Sequence, residues 1–300
     1  MSSILPGTLV SKEWLAEHLE QPRLRVVDIR GYVKTEDLGT GQQRAEYVGA
    51  RDEYDEEHIP GSVFVDWTTD ITDPDDPIIA QLAPAPRFAE AMSERGVGND
   101  TDVVVVDHTG GHFATRLWWA LKHYGHDRAA VLDGGFNGWK AAGLPRTNAE
   151  PVVPREQFVP EPRPSLRVDA EGVRDRMRNE VHVIVDARDP GQYTGEVRRG
   201  TRGGHVPSAV NIPAKALVND DGTWKSDREL EAILRAGGVR EDVEVTAYCN
   251  GGVTATGVLF ALDRIGHASW ANYDGSWNEW GERDDLPVEG NRDLFKGVSR

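Results

Sequence analysis

Four short segments occur twice in this chain, in the same order, and that repetition limits the fold more than any other feature. The first half carries "RVVDIR" (25–30), "EEHIPGSV" (56–63), "DVVVVDHTGGHFATRLWWALKHYGH" (102–126) and "VLDGGFNGWKAAGLP" (131–145). The second carries "VIVDAR" (183–188), "GGHVPSAV" (203–210), "DVEVTAYCNGGVTATGVLFALDRIGH" (242–267) and "WANYDGSWNEWGERDDLP" (270–287). Ordered recurrence of this kind marks a duplicated unit, so both halves must fold by the same rules. Between them lies "NAEPVVPREQFVPEPRPS", whose five prolines favour extended chain with few free donors. The expected organisation is a first domain over 1–147, a proline-rich linker over 148–165 and a second domain over 166–300.

Within each copy, β-branched runs such as Asp102 to Val106 and Val243 to Tyr248 alternate with helical patterns such as Thr115 to His123 and Thr254 to Ile265. This alternation predicts an α/β fold of two tandem domains, each a parallel sheet flanked by helices on both faces. Such sheets present their chemistry where a strand's carboxyl end meets the next helix. There the copies differ: the second half has Cys249, while the first has Asp107. One active and one non-catalytic domain are expected.

Cys249 is the only cysteine, so no internal disulfide can form and a reducing compartment is the natural setting. The N-terminal stretch lacks a basic region followed by an apolar one, and no run approaches bilayer length, so the expectation is a cytoplasmic protein without a membrane partner. Fifty acidic residues against 34 basic ones give a net charge of −16, which disfavours nucleic acid and anionic membranes as partners. An anionic substrate would need positive field supplied locally.

Gly251 and Gly252 let the chain curl tightly after Cys249, and successive amides ahead of a helix form a cradle for negative charge. A helix N-terminus also favours the thiolate. Cysteine phosphatases use similar geometry but clamp phosphate with an arginine six positions after the cysteine. Here Thr254 and Ala255 occupy that region and no arginine follows before Arg264, so a smaller cargo fits better.

These features together, with "CNGGVTA", "HIPGS"/"HVPSA" and the "GGFNGW"/"GSWNEW" pair, resemble the tandem-domain sulfurtransferases, the rhodanese and 3-mercaptopyruvate sulfurtransferase family. The resemblance covers nearly the whole chain. It implies that Cys249 forms a persulfide, cradled by Asn250, Gly251, Gly252, Val253 and Thr254. It further implies ping-pong transfer of sulfur from a small anionic donor, thiosulfate or 3-mercaptopyruvate, to cyanide or a thiol acceptor such as a thioredoxin-like protein, with no cofactor or metal. The alternative reading is a persulfide carrier or sulfur-sensing binding protein that does not turn over rapidly.

Two positions depart from the family pattern. Thiosulfate-specific relatives carry a basic residue two after the cysteine and mercaptopyruvate-specific ones a serine, whereas this chain has Gly251. An arginine expected in a "GR" pair is replaced by Gln192. Arg188, Arg198 and Arg199 are therefore the substrate-binding candidates, with Arg202 nearby; Arg188 also has a structural reading, because Arg30 is its counterpart in the other half. His112 and Phe113, and Trp67 beside them, match positions that line family pockets from the first domain. His58 and His205 sit in a repeated segment and read as packing or capping residues. His108 and His112 lack further ligands for a metal, and Trp139, Trp277 and Trp280 read as core anchors. Two domains that cover each other's apolar faces are compatible with a monomer.

Overall fold

The structure, a computed structural model, describes residues 2–109 and 111–290; residues 1, 110 and 291–300 of the expected domains lie outside the described residues. The first half forms strands β1 (Leu9–Val10), β2 (Leu24–Asp28), β3 (Gly31–Asp37), β4 (Gln42–Gly49), β5 (Val63–Phe64), β6 (Asp102–Val106) and β7 (Ala129–Leu132). Its helices are α1 (Lys12–His18), α2 (Arg51–Glu56), α3 (Ala85–Glu94), α4 (Ala114–His123) and α5 (Gly135–Ala141). The second half adds β8 (Arg167–Val168), β9 (His182–Asp186), β10 (Arg198–Arg199), β11 (Val210–Asn211), β12 (Glu244–Tyr248) and β13 (Trp270–Tyr273). With them run α6 (Ala170–Arg176), α7 (Pro190–Thr194), α8 (Asp227–Ala236), α9 (Ala255–Arg264) and α10 (Ser276–Trp280).

Two parallel sheets follow one plan: β1-β7-β6-β2-β5 in the first half and β8-β13-β12-β9-β11 in the second. The central strands are buried on both faces, which is why they read as nearly unbroken apolar runs. Side chains alternate between faces. In the first sheet Val26, Val104 and Val106 pack with Leu15 of α1 and Trp139 of α5, whereas Val27, Val103 and Val105 pack with Phe88 of α3 and Trp118 of α4. In the second, Ile184, Tyr248 and Tyr273 meet Val173, Trp277 and Trp280; Val185, Val245 and Ala247 meet Leu230 of α8 and Val258 of α9. Helices therefore cover both faces of each sheet.

One core cluster runs through both halves because α4 packs on α9. Equivalent threonines meet there, with Thr115 Oγ1 and Thr256 Oγ1 2.9 Å apart, and Trp118 of α4 stands edge-on to Phe260 of α9 at 5.0 Å. The proline-rich segment holds no helix or strand from 148 to 163. It straps the first domain, with Phe158 buried against Phe88 and its amide donating to Ser93 Oγ at 3.1 Å.

A third sheet was not foreseen from the sequence. Strands β3 and β4 form an antiparallel hairpin, turning through Gly39, Thr40 and Gly41, all at positive φ. The free edge of β4 pairs in parallel with β10 of the second half, Gln42 opposite Arg198 and Gln43 opposite Arg199. This places first-half residues Val33 and Tyr47 over the loop that follows β12.

Candidate active site

Cys249 is the first residue beyond β12 and is 3% exposed. Its amide donates to Ser276 Oγ at 3.1 Å, and Ser276 in turn donates to the Tyr273 carbonyl at 2.7 Å. Ser276 is wholly buried at φ +52°, a conformation unfavourable for a residue other than glycine. The two bonds offset that cost and fix the backbone at Cys249.

The loop needs both its glycines. Gly252 lies at φ +69°, and a Cβ there would stand 2.7 Å from the Asp274 carbonyl oxygen. A Cβ on Gly251 would meet Ala80 Cβ at 3.2 Å and Asn278 Nδ2 at 3.1 Å. The 79–80 segment of the first domain thus crowds position 251, and a side chain there would require Ala80 or Asn278 to shift.

That segment is held by a buried ion pair across the domain interface. Arg116 of α4 pairs with Asp274, and its guanidinium donates to the Gly252 carbonyl at 3.2 Å and the Ala80 carbonyl at 2.9 Å. Asp274 also accepts from the Leu82 amide at 2.9 Å. Arg116 occupies the position equivalent to Gly257, so this clamp exists on one side of the repeat only.

The corresponding loop of the first half shows what the amides of such a turn attract. The Asp107 carboxylate accepts from the amides of Thr109 at 3.0 Å, Phe113 at 2.8 Å and Ala114 at 3.0 Å. Both loops are anchored alike behind this point: Phe136 and Asn137 amides bond the carbonyls of Asp107 and His108, and Trp277 and Asn278 amides bond those of Cys249 and Asn250. Among the described residues, the backbone N–H groups of Asn250 to Thr254 donate to no protein acceptor.

Cys249 and its loop open on a cavity of about 300 Å³, walled by Val33, Tyr47 and His112 from the first half and by Asp189, Gln192, Arg199, Ala214 and Lys215 from the second. Arg199 lies on this wall, and its Nε has no hydrogen-bond partner. Burial pulls the Arg199 guanidinium below its usual value, while Tyr47 and the charge of Cys249 act the other way. Burial likewise pushes the Tyr47 hydroxyl up, keeping it a neutral hydrogen-bonding group beside Asn278. Gln192, which stands where an arginine was expected, is buried, and its Oε1 accepts from Asn250 Nδ2 at 3.3 Å.

The remaining sequence candidates scatter. Arg188 touches the cavity wall, but its guanidinium is buried: Nε and Nη2 bond Asp186, Nη2 also donates to the Gly204 carbonyl at 2.7 Å, and the group lies 4.3 Å over Trp277. Burial opposes its charge and Asp186 overcomes that, so Arg188 is tied as a structural ion. Arg30 pairs with Asp28 in the same way. Arg198 lies in β10, where its Nη2 reaches Gln42 Oε1 at 3.5 Å, and it is not on the cavity wall. Arg202 is spent on the carbonyls of Gly281 and Leu286.

His112 reaches the cavity, whereas Phe113 packs on Trp67 at 4.8 Å and faces a neighbouring apolar cavity instead. His58 and His205 stack on Tyr54 and Tyr193 and bond the carbonyls of those tyrosines. His108 Nε2 bonds Glu53 at 2.9 Å, and no group of three or more metal-binding side chains occurs among the described residues. Nor is any helix among them long and apolar enough to cross a membrane. Sequence reasoning missed Tyr47, Ser276, Arg116 and Lys215, each brought to the loop by distant parts of the chain.

Comparison with known proteins identifies the family and the fold. The family model of the rhodanese-like domain matches residues 11–142 and again 169–283. The 3-mercaptopyruvate sulfurtransferase of Escherichia coli K12 is 35% identical over 284 residues, spanning 93% of this chain and 97% of its own. Sulfur carrier protein TtuD of Thermus thermophilus is 32% identical over 296 residues, spanning 94% and 96%. The crystal structure of SseA from Escherichia coli, described as a 3-mercaptopyruvate sulfotransferase of "Rhodanese" fold, superposes with a TM-score of 0.79 at 32% identity, covering 90% of this chain and 98% of that one.

Proposed function

Because the chain belongs to the rhodanese-like family, we propose that it is a sulfurtransferase that moves sulfane sulfur through a persulfide on Cys249. One observation carries this reading: the buried thiol faces a cavity, in a loop whose amides make no protein contacts, where the sister loop holds a carboxylate. A persulfide's terminal sulfur is an anion of the kind those amides accept.

With thiosulfate, the Cys249 thiolate attacks the outer sulfur. An S–S bond forms to Sγ, the sulfur–sulfonate bond breaks, and sulfite leaves with the electron pair. With 3-mercaptopyruvate the C–S bond breaks instead, and the thiol proton is balanced by protonation of the pyruvate enolate at its methylene carbon. In the second half-reaction cyanide or a thiolate attacks the terminal sulfur and returns the Cys249 thiolate, giving thiocyanate or a new persulfide. Arg199, with an Nε free to donate, is the cation on the cavity wall that would meet the donor's sulfonate or carboxylate.

The test is intact-protein mass spectrometry after incubation with thiosulfate or 3-mercaptopyruvate, beside a Cys249→Ser control. Gain of one sulfur, reversed by cyanide and absent in the control, is the expected result. No gain with either donor overturns the reading. A gain followed by a single stoichiometric release, without steady turnover, would replace the transferase with the carrier role that the name of the Thermus thermophilus relative describes.

A further inference from the structure

We infer that Lys215 is the second cation that holds the anionic end of the sulfur donor, and that Asp189 opposite it sets how much negative charge the site accepts. The assignment rests on the sulfurtransferase reading above. Three observations on this chain lead to it. Position 251 carries no side chain and a Cβ there would crowd Ala80, so the loop brings no charged side chain of its own to the donor. Gln192 brings no charge, and the guanidinium of Arg188 is committed to Asp186 and Gly204. Of the cationic side chains on the cavity wall, that leaves Arg199 and Lys215.

Lys215 lies in the short turn Ala214–Leu217, which follows β11, and Asp189 precedes α7; both line the cavity beside Cys249. They pair with each other across its mouth while 65% and 61% exposed. An ion pair that open contributes only about 0–1 kcal/mol and is readily exchanged. A donor anion entering the cavity can take Lys215 from Asp189, and Arg199 receives it deeper in. Asp189 stays behind as a negative charge at the entrance, and its repulsion grows with the charge of the donor. Thiosulfate, a dianion, is penalised more than 3-mercaptopyruvate, a monoanion. Lys215 and Arg199 attract a dianion more strongly than a monoanion, so Asp189 trims the advantage that thiosulfate would otherwise hold in a protein that lacks both family signatures at position 251.

Steady-state kinetics of Lys215→Gln and Asp189→Asn with both donors, alongside persulfide mass spectrometry, test this. Both side chains are exposed and Asp189 makes no helix-capping bond, so the variants should fold as the parent does. Lys215→Gln is expected to raise the donor KM about ten-fold with the effect on KM rather than kcat, the size of one charged hydrogen bond. Asp189→Asn is expected to lower the KM for thiosulfate more than that for 3-mercaptopyruvate, and added salt should shrink both effects. A donor KM within two-fold of the parent in Lys215→Gln, in protein that still gains sulfur on Cys249, overturns this assignment alone. Parent protein that gains sulfur from neither anion overturns it together with the function it rests on.

Discussion

The loop after β6 and the loop after β12 descend from one pattern and have been put to opposite uses. In the first, Asp107 turns back and satisfies three amides of its own turn. In the second, Cys249 has the smaller and more polarisable side chain, and the amides of 250–254 donate to no acceptor among the described residues. The difference teaches that an anion cradle is a backbone property, and that one side chain decides whether it closes on itself or serves a substrate.

Making the second loop resemble the first should have the largest effect. Cys249→Asp is expected to remove sulfur transfer by at least about a thousand-fold, as loss of a nucleophile does, while thermal unfolding stays near that of the parent because the new carboxylate has amides to meet. A large fall in melting temperature would break the comparison. The reverse change is next in size. Asp107→Ala leaves two buried donors and one partly buried donor without their acceptor and should cost on the order of 3 kcal/mol in urea unfolding, yet persulfide formation on Cys249 should survive in the folded fraction. If Asp107→Ala instead abolished the persulfide at full stability, the first loop would be part of the chemistry.

The smallest effect sharpens the contrast at another repeated pair, His126 and His267. His126 is buried, and burial lowers its basicity; His267 is partly exposed. A histidine depressed in the folded state binds fewer protons there than in the unfolded chain. Stability is therefore full above the unfolded value of about 6.5 and is lost as pH falls through it. Melting temperature followed from pH 7.5 to 5.5 should fall, and His126→Gln should flatten that slope.

Much of this was legible in the chain. Two parallel sheets, the strand and helix bounds around Cys249 and the asymmetry between Asp107 and Cys249 follow from runs whose apolar pattern is set by local burial. The Asp28–Arg30 and Asp186–Arg188 pairs show why a repeated arginine is better read as architecture than as recognition. The hairpin of β3 and β4 escaped because Lys34, Glu36, Arg44 and Glu46 make one face charged, Val33, Thr35, Ala45 and Tyr47 make the other only weakly apolar, and its partner strand β10 lies in the other half of the chain. Arg116 escaped because only the folded interface brings it to the loop, and Ser276 and Lys215 because the folded second sheet sets them near Cys249 although they are distant in sequence. Gly251, a bare departure from the family pattern in sequence, becomes intelligible once Ala80 is seen above it.

The pairing of β4 with β10 also bears on the order in which the molecule is assembled and taken apart. Each parallel sheet closes through strands of its own half, whereas the cavity roof joins residue 42 to residue 198 across the two halves. Contacts so far apart in sequence form late and open early. A partial opening at this seam parts Tyr47 from Arg199 while both cores stay folded, so sulfur chemistry is the first property such an excursion removes and the last that refolding restores.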